Sequence, residues 1–87
     1  MQKSIYTILD SKAGIFCNPF ISINDQTALR DFLRACTDPS VDFSYFPADY
    51  TLFHIGFFDE VLGTLMPNAA LINLGTGATI SAKANCV

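Results

Sequence analysis

The stretch Tyr50–Gly63 constrains this chain more than any other. From Tyr50 to Phe58 it is built almost wholly from aromatic, β-branched and other apolar residues, and it closes on Asp59, Glu60 and Gly63. Such side chains suit a pleated surface, so the run reads as a β-strand ending in an acidic, glycine-closed turn. Alternation places Tyr50, Leu52, His54, Gly56 and Phe58 on one face and Thr51, Phe53, Ile55 and Phe57 on the other. Neither face is polar, and a strand of that kind is covered on both sides. What covers the second side is the question on which function turns.

The first cover is legible. Asn24 is placed as a helix N-cap, with Ile23 and Ala28 positioned to staple across it. Ala28, Leu29, Phe32, Leu33 and Cys36 follow at helical spacing as one apolar stripe, with Arg30 and Arg34 on the opposite face. Pro39 disfavours helical geometry at Asp38, so the helix is expected over 25–36, packed on a sheet through Leu29, Phe32 and Leu33. Upstream, Ser4–Leu9 is β-branched and reads as a strand. Asp10–Gly14 is a turn, and Ile15–Cys17 returns antiparallel as an edge strand or one that ends at Asn18, because Pro19 cannot donate to a ladder.

Downstream, Ser40–Asp49 is irregular and aromatic. A last strand starts at Leu65, is interrupted at Pro67 or marked there as an edge, can continue over Ala70–Leu74 and breaks at Gly75. The tail from about residue 78 is expected to be loose, with at most a short strand over Ala78–Ser81. The order β-β-α-β-β implies an α+β domain: a small antiparallel sheet with one helix packed on one face. The 87 residues form a single domain.

A chain this short buries only about 60% of its unfolded surface. Yet 51% of its residues are hydrophobic and 15% charged, so apolar surface is left over, and such surface marks an interface. Phe53, Ile55, Phe57 and Phe58 are the candidates for a homo-oligomer contact. No run is long enough to span a membrane and no signal peptide is expected. The odd set Cys17, Cys36 and Cys86 has no paired spacing and reads as free cytosolic thiols.

Catalytic chemistry needs converging groups. His54 is the only histidine, set mid-strand among apolar neighbours, where a hydrogen-bonded structural role fits best. No nucleophile–histidine–acid set or metal-ligand spacing is present. Gly75 and Gly77 lack the length and the following lysine of a phosphate loop. The expectation is a protein that is not an enzyme and needs no metal or cofactor. The net charge of −3 argues against nonspecific nucleic-acid binding by charge alone. Arg30 with Arg34 is the only local basic concentration. It reads as a solvated helix face or a phosphate-contacting one, and exposed aromatics could stack on unpaired bases.

One ordered pattern goes further. Tyr6-x-Ile8-x-Asp10-x-Lys12-x-x-x-Phe16-x-x-Pro19-Phe20 is followed by Ala28-x-Arg30-x-Phe32 and Asp38-Pro39. Phe46-Pro47-x-Asp49-Tyr50-x-Leu52-x-x-Ile55-Gly56-x-Phe58-Asp59-x-x-x-Gly63 completes it. This set resembles a small nonstructural protein of gokushovirus-type microviruses, which are single-stranded DNA phages. The resemblance implies a protein of the host bacterial cytoplasm that binds viral DNA, single-stranded by preference, or the replication complex. It would couple DNA synthesis to genome packaging into the procapsid. Lys12, Phe16, Phe20 and Arg30, with Arg34 beside them, are the residues on which DNA contact would fall. The competing expectation is a protein–protein adaptor to the replication machinery or procapsid that never touches DNA.

Overall fold

The structure, a computed structural model, describes residues 2–37 and 46–80. It is mostly antiparallel sheet, curled into a half-barrel, with a short helix. Five strands are present among the described residues: β1 (Gln2–Asp10), β2 (Ile15–Phe16), β3 (Phe20–Ser22), β4 (Tyr50–Asp59) and β5 (Thr64–Thr76). The helix α1 spans Asp25–Thr37, and a 3-10 turn at Pro47–Asp49 leads into β4. The strands run in the order β2-β1-β4-β5, with β3 also on β1.

β2 and β3 lie end to end along the same edge of β1. Leu9 faces Phe16 and Tyr6 faces Phe20, so one residue slips in between, over Cys17-Asn18-Pro19. Of the two readings of Pro19, an edge or a strand end, the edge is observed, and pairing with β1 resumes after the proline. A proline on a sheet edge costs no ladder bond, and the slip absorbs its geometry.

Both hairpins use one device. Asp10 Oδ1 accepts the N–H of Lys12 and of Ala13, each at 3.1 Å, and Gly14 N–H closes on the Asp10 carbonyl at 2.8 Å. Asp59 Oδ1 accepts from Val61 at 2.9 Å and Leu62 at 3.1 Å, and Gly63 N–H closes on the Asp59 carbonyl at 2.8 Å. Gly14 (φ 73°) and Gly63 (φ 69°) take the left-handed conformation that four-residue spacing from the aspartate demands. The bonds from Leu62 and Val61 hold the Asp59 carboxyl below its ordinary range.

Asn24 caps α1: its Oδ1 accepts the N–H of Thr27 at 2.8 Å and the Thr27 hydroxyl at 2.9 Å. The helix lies on one sheet face. Its Ala28 and Phe32 are buried with Tyr6 and Ile8 of β1 and Tyr50 and Leu52 of β4, and Leu29 packs against that cluster. Among the described residues Ala28 and Phe32 are the buried ones of the helix, while Leu29 and Leu33, expected to point inward, are only partly buried.

Downstream, β5 is a single strand through Pro67: of the two readings of that proline, a break or an edge, the edge is the one observed, where a missing N–H is tolerated. It bulges widely: His54 faces Ile72 but Gly56 faces Pro67, so residues 68–71 oppose Ile55 alone. Residues 77–80 form a helical turn instead of a loose tail or short strand. The Thr79 hydroxyl donates to the Thr76 carbonyl at 3.0 Å, and Ile80 packs against the core. Residues 81–87 and the aromatic segment 38–45 lie outside the described residues.

Candidate functional site: two faces of one sheet

The simple alternation of β4 does not survive. β1 pairs Ile5 with Gly56 but Tyr6 with His54, so Ile55 is an extra residue in β4. Beyond it the faces exchange. Phe57 joins Tyr50, Leu52 and His54 on the helix side, while Gly56 and Phe58 turn to the open side with Thr51 and Phe53. Asn68 holds this bulge: its Nδ2 donates to the His54 carbonyl at 3.1 Å and lies 2.8 Å from His54 Nδ1.

The open face is apolar. A row of side chains crosses four strands, Ile21–Ile5–Gly56–Pro67, and Gly56 leaves its middle low. The result is a groove of about 390 Å³ walled by Pro19, Ile21, Ile55, Leu65 and Pro67. The groove continues across Pro19, Ile55 and Pro67 into a second hollow reaching Phe16 and Leu71. Among the described residues no charged side chain lines either hollow. Ile21 is 51% exposed, Leu65 69% and Phe16 48%. Phe16 meets Phe53 edge to face, ring centres 5.9 Å apart.

The helix side carries a hollow of mixed character, about 540 Å³, between the first turn of α1 and β4–β5. An aromatic row leads to it: Phe20 stacks on Tyr6 at 5.8 Å, Tyr6 meets His54 at 5.1 Å, and His54 meets Phe57 at 4.8 Å. The Tyr6 hydroxyl donates to Asp25 Oδ1 at 2.6 Å. Burial, and then this bond to a carboxylate, push the Tyr6 phenol up to about 12. Burial, and then the Asp10 carboxylate, raise the Cys17 thiol, which keeps it protonated and unreactive. Among the described residues no cluster of three His, Cys, Asp or Glu side chains could hold a metal ion, and no helix is long and apolar enough to cross a membrane.

The structure scatters the sequence candidates for DNA contact. Lys12 sits on the β1–β2 turn, Phe16 on the open face, and Arg30 and Arg34 on the outer side of α1. Phe20 is half-buried, stacked on Tyr6 and packed against the core, and it also borders the groove. Arg30 has Asp31 at 3.9 Å, a loose surface contact. Of the candidates for self-contact, Phe53, Ile55 and Phe58 share the open face, and Phe57 leaves the set because of the bulge. Sequence reading missed Gly56, Pro67 and Asn68, which shape the groove. A proline four residues before the Leu71-Ile72 pair gives no sign that it faces a glycine across the sheet.

A family model described as Phage ORF5 protein matches residues 3–80. Neither curated proteins nor solved structures give a match.

Proposed function

The chain belongs to the phage ORF5 protein family, and from that premise we propose a nonstructural accessory protein that couples viral DNA synthesis to genome packaging. It does so in the host cytoplasm by binding viral single-stranded DNA or the replication complex, without catalysis of its own. The observation that carries this reading is the open sheet face. Among the described residues a contiguous apolar groove stands uncovered, flanked by an exposed phenylalanine, and surface of that kind serves a macromolecular partner. Self-association through Phe53, Ile55 and Phe58 belongs to the same reading, since several copies on one strand or complex gain by multivalency.

The resemblance to the small nonstructural protein of gokushovirus-type microviruses supports the same role. The adaptor reading, in which the chain meets the replication machinery or procapsid and never touches DNA, has one observation in its favour: the groove lining carries no charge.

The test uses the Ile21→Lys/Leu65→Lys double variant. Both positions are exposed, so the fold is kept while the groove walls become cationic. A purified phage replication initiator and labelled circular single-stranded DNA are each titrated with the native chain and the variant. Loss of initiator binding in the variant supports docking through this face. Unchanged binding of both ligands refutes it.

A further inference from the structure

The hollow on the helix side has chemistry that neither the groove nor the core requires. Its walls include His54, which is 5% exposed. Asn68 Nδ2 faces both the His54 carbonyl, which can only accept, and His54 Nδ1. The amide nitrogen therefore donates to both, and Nδ1 must carry the lone pair. The ring proton of neutral His54 is then on Nε2, which has no partner among the described residues. Beside it, Asp25 gives Oδ1 to the Tyr6 hydroxyl and keeps Oδ2 as an acceptor. Phe57 and Ile72 add apolar surface. Across the β1–β3 pair from Ser4, which also lines the hollow, Ser22 Oγ is buried without a partner (8% exposed).

We infer that this hollow takes a nucleobase of single-stranded DNA, read by the His54 Nε2–H donor and the Asp25 Oδ2 acceptor with its ring against Phe57 and Ile72. Each base offers a donor beside an acceptor on its pairing edge, which is reachable only when unpaired. The Asp25 carboxylate repels a phosphate, so the base and not the backbone enters. The backbone has its own path: Gln26, at the mouth, is followed by Arg30 and Arg34 at four-residue spacing, one stripe along exposed α1. The two arginines the sequence singled out thus extend from a site the sequence did not show. The inference rests on the DNA arm of the proposed function and leaves the open groove to protein.

The probe is a fluorescein-labelled fifteen-nucleotide single strand, compared with the same strand made abasic, at low salt and with the full chain. His54 is the only histidine, so its ring resonances report the hollow without ambiguity. The native chain is expected to bind the strand, shift the His54 ring signals and lose most affinity for the abasic strand. Ile72→Ala, at an exposed position, and Asp25→Asn, which keeps the Tyr6 bond, should each weaken binding about tenfold. Arg30→Ala should lower the salt slope by about 0.7. Binding that leaves the His54 signals and both variants unaffected overturns the hollow while leaving DNA binding standing. No binding of the native chain to any strand overturns the DNA reading and this inference together.

Discussion

Gly56 decides the shape of the open face. A Cβ built there would lie 2.6 Å from the Met66 carbonyl oxygen and 3.0 Å from Pro67 Cα, both backbone atoms that cannot swing away. Gly56→Ala should therefore destabilise by about 1–3 kcal/mol and part β4 from β5, as read by thermal unfolding and by amide exchange on Met66. A second residue-scale prediction concerns Tyr6. Its phenol ionises near 10 when unfolded and at about 12 in the fold. The unfolded chain loses its proton first, so the stability from the buried phenol is whole below about pH 10 and lost as pH climbs towards 12. Denaturation midpoints followed from pH 8 upward should fall in that window. Tyr6→Phe should flatten the fall, although it starts from a lower midpoint because Asp25 loses its donor. Phe32→Ala, which empties the centre of the core, should cost about 3–5 kcal/mol by the same measurement.

At the scale of elements, the parts governed by local rules were legible. Asn24 capped the helix as its side chain dictates, Asp10 and Gly14 made their turn, and the apolar stripe of α1 found the sheet. What could not be read depends on two strands at once. The extra residue at Ile55 is invisible until β1 and β4 are paired, and it alone moves Phe57 across the sheet. Pro19 and Pro67 were each readable as a strand end or as an edge marker, and the sheet takes the edge alternative, where the ladder asks nothing of the nitrogen. Of the candidate site, Phe53, Ile55 and Phe58 were legible as surplus apolar residues. The groove was not, because its floor is a glycine defined by neighbours distant in sequence. The β4–β5 hairpin gives its own test. Asp59 is held below the ordinary carboxylate range, so its contribution is present above about pH 4 and lost as pH falls through that lowered value. Asp59→Asn keeps the accepting oxygen and removes the charge. Its midpoint should lose part of the acid dependence seen in the native chain, and an unchanged acid limb would place that dependence elsewhere.

At the scale of the molecule, the proposed coupling of two processes calls for two surfaces, and this sheet has two of different character. The open side is apolar and uncharged along its groove. The helix side is aromatic and polar, with a cationic stripe along α1. Both sheet edges carry a proline and an irregular register, which discourages strand addition by other chains, so partners are directed to the faces. The measurement that tests this most directly is genome packaging in infected cells whose native copy is replaced by Ile21→Lys/Leu65→Lys. With the variant folded and expressed, duplex replicative DNA should accumulate while packaged single-stranded genomes fall steeply. Packaging at the native level with this face made cationic would contradict the account.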